Sequence, residues 1–153
     1  MQRRSFLKGT LAGGTVAVAM GAGLLSPRQV LAAWPESAFT AKSVNDAMGG
    51  LFGTADNTPS NKIQIKAPDI AENGAVVPVS VTTSLAATSI AIVAEKNGQP
   101  LAANFELSGS AKGDVATRIK MGKTSDVIAV VKSGGKLFTA RKNVKVTIGG
   151  CGG

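Results

Sequence analysis

The sequence contains no histidine and only one cysteine among its 153 residues. The missing histidine excludes histidine-based catalytic triads, cysteine–histidine pairs, haem ligation through histidine and most zinc sites. Neither a GxGxxG stretch nor a phosphate-binding loop belongs to the body of the chain. The carboxylates, such as Asp69, Glu72 and Glu95, are isolated in sequence and more typical of turns or surface positions. We therefore expect no cofactor and no metal, and the cysteine is nearly all that this chain could bring to a reaction.

Long hydrophobic runs are also scarce. The main run, residues 11–25, has about 15 residues, which is shorter than the roughly 20 that a membrane-spanning helix needs. Small residues follow it and offer a signal-peptidase site after Ala32 or Ala33. No cysteine follows the run, so a lipid anchor has no attachment point, and we expect no membrane anchor. The pattern predicts a cleaved signal peptide over residues 1–32.

The start of the chain, QRRSFLKGT, carries Arg3 and Arg4 directly before Ser-Phe-Leu-Lys. This arrangement resembles the twin-arginine export signal, and the alternative is an ordinary secretory signal that happens to carry two arginines. Either signal makes the mature protein extracytoplasmic, and the first predicts a periplasmic protein exported by the twin-arginine pathway.

The surplus of positive charge belongs partly to this signal. Without residues 1–32 the formal net charge falls from +8 to +4, because Arg3, Arg4, Lys8 and Arg28 leave while all nine acidic residues stay. The remaining basic residues are spread along the chain with few aromatic residues between them, so we expect no nucleic-acid partner.

A helical pattern opens the body of the chain. Val44, Ala47, Met48 and Leu51 recur at helical spacing, which predicts one short helix over residues 38–52. The following stretch NTPSN, residues 57–61, is expected to be a linker to the first strand.

Alternation of apolar and polar residues then predicts about seven strands. Asn-Gly pairs at 73–74 and 97–98 and the glycines at 134–135 separate the alternating runs. Pro78 inside one run indicates a sheet edge or a bulge. The runs are KIQIKAP, VVPVSV, SIAIVAE, TRIKM, DVIAVV, KLFTA and NVKVTI. Such a pattern is typical of an all-β fold, an immunoglobulin-like antiparallel β-sandwich with a short N-terminal helix, over residues 33–148.

The single cysteine lies near the end of the chain, in VKVTIGGCGG. Cys151 stands between two glycine pairs, Gly149 with Gly150 and Gly152 with Gly153. Because glycine orders least readily, we expect residues 149–153 to form a flexible arm carrying one nucleophilic sulfur. In an oxidising compartment this cysteine is free, joined to another chain, or carrying something, and the residues alone leave these alternatives open.

Four stretches of the chain are informative when taken together: APDIAENGAVVPVSV, EKNGQPLAANFEL, TRIKM and VKVTIGGCGG. They resemble the SoxY sulfur-carrier family of the bacterial thiosulfate-oxidising Sox system. The resemblance implies an immunoglobulin-like sandwich that pairs with a SoxZ subunit and carries sulfur intermediates covalently on Cys151. It also implies that the chemistry is done by partners: a haem enzyme, a sulfate-releasing hydrolase and a sulfur dehydrogenase. The chain itself is then a carrier and not an enzyme.

Two other interpretations use the same C-terminus. A structural extracytoplasmic sandwich could use Cys151 for an interchain disulfide. A ubiquitin-like sulfur carrier also ends in Gly-Gly, but it needs ATP-dependent adenylation in the cytoplasm, and the export signal disfavours that setting.

Overall fold

A computed structural model describes residues 34–147 of the chain. The predicted export signal with Arg3 and Arg4, and the predicted arm with Cys151, lie outside the described residues. All helices and strands of the described part lie in the compact unit that begins at Pro35. The helices are α1 (Glu36–Thr40) and α2 (Val44–Phe52). The strands are β1 (Thr58–Pro59), β2 (Ile63–Lys66), β3 (Ile70–Ala71), β4 (Val77–Thr83), β5 (Ala87–Ala94), β6 (Leu101–Glu106), β7 (Asp114–Ile119), β8 (Ser125–Ser133) and β9 (Lys136–Val146).

The strands form two sheets packed face to face. The larger sheet has the order β1-β9-β8-β5-β6, with β3 also paired to β9, and the smaller sheet has the order β2-β4-β7. Alternate residues of both sheets meet in one buried cluster, which includes Val79 and Val81 of β4, Ile90 and Ile92 of β5, and Val127 of β8. The predicted immunoglobulin-like β-sandwich is therefore confirmed.

The central strands of the larger sheet are buried on both faces. On β5, Ile90 and Ile92 face the sandwich core, while Ala91 and Val93 join a second buried cluster with Met48 of α2. The two helices thus cover the outer face of this sheet and make a third layer. This double burial explains why SIAIVAE is an almost continuous apolar run.

The predicted single helix over residues 38–52 is wrong in its extent, because the chain forms two helices with a break between them. Ala41 has an extended backbone conformation, and Ser43 caps α2. The Ser43 hydroxyl accepts a hydrogen bond from the Asp46 backbone N–H at 3.1 Å, which satisfies a donor that would otherwise lack a partner. Gly53 ends α2 with a φ of 78°.

The predicted linker over residues 57–61 is also wrong in part. Thr58 and Pro59 pair with Phe138 and Thr139 in a parallel bridge. The Thr139 hydroxyl donates to the Asn57 side-chain oxygen at 2.9 Å. A two-residue strand shows no period, so sequence alternation could not reveal it.

The prediction that Pro78 lies at a sheet edge or a bulge agrees with the strand pairing around this residue. Pairing between β4 and β2 ends at Ser80, so no strand lies beside Pro78 on that side, although β4 is central further along.

Alternation did not predict β6, because this edge strand has mostly half-buried residues on both faces. Within the described range, no helix is long and apolar enough to cross a membrane.

Candidate functional site

The predicted site consists of Cys151 and the glycines Gly149, Gly150, Gly152 and Gly153, all outside the described residues. The structure does describe the segment that leads to them. We call Lys145, Val146 and Thr147 the arm root, because they are the last three described residues. Their contacts decide how firmly the following segment is attached to the sandwich.

The arm root is hydrogen-bonded along both of its edges. On one edge β3 runs parallel to it, with the Lys145 N–H donating to the Asp69 carbonyl at 2.9 Å and the Thr147 N–H donating to the Ala71 carbonyl at 3.1 Å. On the other edge the Val146 N–H donates to the Thr124 hydroxyl oxygen at 2.9 Å. The arm root is thus a fixed point on the sandwich.

A tight turn supports the arm root from the side. A side chain at Gly74 would collide with the Met121 carbonyl and would come within 2.8 Å of Val146 Cγ1. The Met121 N–H donates to the Gly74 carbonyl at 2.7 Å, and the Asn73 side-chain oxygen accepts from the Ala75 N–H at 2.9 Å. The sequence marked this Asn-Gly pair only as a turn, and its packing against the arm root was not predicted.

The sequence analysis also missed Thr124 and β3 as parts of the site. Thr124 follows two surface residues and is one exposed threonine among several, while β3 is only two residues long. Neither has a local signal, because their role depends on β9 arriving beside them from a distant part of the sequence.

The ion pairs near the arm root lie at the surface. Lys142 lies 3.1 Å from Asp69, and Arg141 lies 3.0 Å from Glu95 and 3.8 Å from Asp126. Exposed pairs of this kind contribute little to stability. Across residues 34–147, no group of three or more His, Cys, Asp or Glu side chains could hold a metal ion. The contacts described around the arm root therefore anchor the strand that leads toward Cys151.

Comparison with known proteins identifies related chains. The family model for SoxY, described as a sulfur oxidation protein, matches residues 48–151. The structure of the sulfur carrier protein SoxY from Chlorobium limicola f thiosulfatophilum is 46% identical in sequence, with a TM-score of 0.63. The match covers 69% of this chain and 97% of that chain. No curated protein sequence matches significantly.

The family match covers more than half of the chain and includes the sandwich, the arm root and Cys151. Family and structural similarity together support a carrier role in sulfur oxidation. This chain belongs to the SoxY family of sulfur oxidation proteins.

Proposed function

We propose that the chain carries sulfur intermediates of thiosulfate oxidation covalently on Cys151 and presents them to partner enzymes. The observation that carries this proposal is the extent of the family match, which runs through the sandwich and ends on the only cysteine of the chain. The Chlorobium relative is named a sulfur carrier protein. A chain without histidine has few groups for acid–base or redox chemistry, which supports a carrier that is not itself an enzyme.

The geometry of the arm root supports a carrier because it fixes the origin of the arm. From Thr147 to Cys151 there are four residues, which span roughly 13 Å when extended. Gly149 and Gly150 have no side chains to widen the segment before the sulfur, and glycine is the residue type that restricts the backbone least. We propose that this segment enters the pocket of an enzyme while the sandwich stays outside.

The proposed cycle uses one sulfur atom as the attachment point. In loading, the Cys151 thiol loses its proton, its sulfur bonds to the outer sulfur of thiosulfate, and two electrons pass to a haem enzyme. A hydrolase then adds water and breaks the bond between the outer sulfur and the sulfonate group, which releases sulfate and leaves a persulfide. A dehydrogenase removes six electrons from the outer sulfur as three oxygen atoms from water are added. A second hydrolysis breaks the remaining sulfur–sulfur bond, releases sulfate and restores the thiol.

Partner and compartment follow from the same proposal. Membership of the SoxY family supports a partner from the Sox system, and we propose that this partner is a SoxZ subunit in a heterodimer. The arginine pair Arg3 and Arg4 supports export to the periplasm by the twin-arginine pathway. An oxidising compartment also suits a sulfur that is loaded oxidatively.

The substitution Cys151→Ser tests the attachment site. We expect the variant to fold and bind its partner normally, because residue 151 follows the last described strand in sequence, and to lose thiosulfate-dependent electron transfer to the haem enzyme. Intact-mass measurement should show the thiosulfate adduct on the wild-type monomer and none on the variant. Substantial turnover by the variant would contradict the proposal.

A second variant tests whether loading requires the thiol at position 151 or only a thiol somewhere on the surface. Cys151→Ser combined with Ser110→Cys moves the cysteine to an exposed turn of the sandwich. This variant should react with a small disulfide reagent at a rate similar to that of the wild type, yet should not be loaded by the haem enzyme. If the wild type gives only a disulfide-linked dimer and never an adduct on the monomer, the interchain-disulfide function would replace the carrier function.

A further inference from the structure

A basic cleft of about 650 Å³ opens on the side of the sandwich. Its walls are Phe39 of α1, the turn between β5 and β6, the first residues of β6, the end of β7 and the loop that follows β7. Four cationic side chains line it, and all four residues are exposed: Lys96, Arg118, Lys120 and Lys123. No carboxylate is among the lining residues.

The cleft holds as many cations as the whole charge surplus of the described chain. Thirteen Lys and Arg residues against nine Asp and Glu residues leave an excess of four between residues 34 and 147. The ion pairs found in this range use Arg141 and Lys142, so none of the four cleft cations has a carboxylate partner there. Because no carboxylate lines the cleft beside these four cations, the cleft is a region of positive potential that attracts anions from solution.

Hydrogen bonds order the backbone that carries the cleft cations. The Asn97 side-chain N–H donates to the Lys120 carbonyl at 2.6 Å, and the Asn97 side-chain oxygen accepts from the Gly122 N–H at 3.0 Å. One amide thus ties the turn after β5 to the loop after β7. Met121, between these two contacts, is buried in the sandwich core. The backbone segments that carry the cations are thus ordered before a partner binds, so binding need not pay for ordering this backbone.

The basic cleft adjoins the arm root through one short loop. Lys123 lines the cleft, and the next residue, Thr124, accepts the hydrogen bond from the Val146 N–H. Consecutive α-carbons are about 3.8 Å apart, so the cleft wall at Lys123 and the hydrogen bond from Val146 to Thr124 are immediate neighbours. A partner held in the cleft would sit beside the origin of an arm whose reach is roughly 13 Å.

We propose that the basic cleft docks an acidic surface segment of the enzyme that loads Cys151. This inference rests on the proposed carrier function, and it names the surface by which the carrier is recognised apart from its arm. A protein segment fits better than a free oxyanion, because the cations lie on exposed side chains spread over about 650 Å³ instead of converging on a buried point. Exposed charges of this kind raise association rates and make them sensitive to salt.

Steady-state loading of the carrier, with thiosulfate and the purified haem enzyme, tests the docking surface. The cleft variant carries Lys96→Gln, Lys120→Gln and Lys123→Gln. The matched control carries Lys62→Gln, Lys66→Gln and Lys112→Gln, which removes the same charge from exposed lysines outside the cleft. At low ionic strength the cleft variant should raise the KM for the carrier by about tenfold with kcat unchanged, and the control should change it by less than about twofold.

Salt dependence and the reaction with a small disulfide reagent distinguish loss of docking from a change in the reactivity of the thiol. The difference between the cleft variant and the wild type should shrink as salt screens the charges, while both react equally fast with a small disulfide reagent. Equal changes in the two lysine variants, or an unchanged KM in the cleft variant, would overturn the proposal. Saturable binding of thiosulfate alone, seen at the Asn97 amide by NMR and lost in the cleft variant with no change in KM, would also overturn it and assign the cleft to a small anion.

The same assay keeps the two proposals distinguishable. If the wild type acquires no adduct on Cys151, the carrier function fails. If the wild type is loaded and the cleft variant is loaded with the same KM, only the docking surface fails. Thermal unfolding of both lysine variants should match the wild type, because each substituted side chain is exposed.

Discussion

At the scale of single residues, the glycines of two Asn-Gly pairs in this chain differ in how closely other atoms pack against them. A side chain at Gly74 would collide with the Met121 carbonyl, whereas a side chain at Gly98 would meet nothing within 4 Å. Neither glycine is among those with positive φ, so the difference lies in packing and not in backbone conformation. Gly74 is needed because two backbone segments approach closely beside the arm root.

The substitution Gly74→Ala should therefore destabilise the protein by about 1–3 kcal/mol, because an added methyl group must displace backbone or the Val146 side chain. The matched substitution Gly98→Ala should change the free energy of unfolding by less than about 0.5 kcal/mol. Urea denaturation of both variants measures the difference. Equal stabilities would show that the contact at Gly74 relaxes freely.

At the scale of elements, β9 is the strand that leads from the sandwich toward the proposed attachment site. It pairs with β8 as far as Val144, and beyond that point Thr124 and β3 replace the neighbouring strand. The last residues of β9 are thus held by a side chain and by a two-residue strand. These contacts keep the arm root from fraying, so the last described residues before Cys151 are held against the sandwich.

The substitution Thr124→Val should loosen the arm root locally. It removes the acceptor of the Val146 N–H while keeping the shape of the side chain. One hydrogen bond contributes about 1 kcal/mol, so hydrogen exchange at the Val146 amide should accelerate by about fivefold. The exchange rate of the Ala129 amide, in the middle of β8, should stay unchanged.

Thr117→Val is the matched control for this change. Within the described residues the Thr117 hydroxyl makes no hydrogen bond, so this variant should leave exchange at Val146 as it is in the wild type. Unchanged exchange in Thr124→Val as well would show that β3 alone holds the arm root.

At the scale of the whole molecule, the sheets end in strands that have a neighbour on one side only. β6 ends the larger sheet, and β2 and β7 are the outer strands of the smaller sheet within the described part of the chain. Edge strands of this kind are natural surfaces for a second subunit. We propose that SoxZ binds the folded chain before export, since the twin-arginine pathway transports folded proteins.

Substituting Arg3→Lys together with Arg4→Lys should then keep both subunits inside the cell, provided that SoxZ has no signal of its own. Fractionation of cells that express both chains measures the periplasmic share of each. Arg28→Lys, the same change outside the arginine pair, should leave export at the level of the wild type. A SoxZ subunit that reaches the periplasm without this chain would contradict co-export.

The sequence alone predicted the sandwich, the family and the candidate attachment site. Alternation at Ile63 and Ile65, or at Val77, Val79 and Val81, reports the pleat of a strand with one buried face, which is a property of neighbouring residues. The GGCGG motif is equally local, since its five residues are consecutive in the sequence. Information of this kind can be read without knowing which parts of the chain meet.

Only the tertiary structure decided which contacts hold the arm root and which four cations meet in the cleft. Thr124 becomes a hydrogen-bond acceptor for Val146 because β9 arrives beside it, 22 residues later in the chain. Lys96 and Lys120 share one cleft because Asn97 ties the turn after β5 to the loop after β7. Such contacts depend on strand pairing between distant segments of the chain. Alternation of apolar and polar residues indicates that a segment is a strand, but it does not show which other strand is its partner.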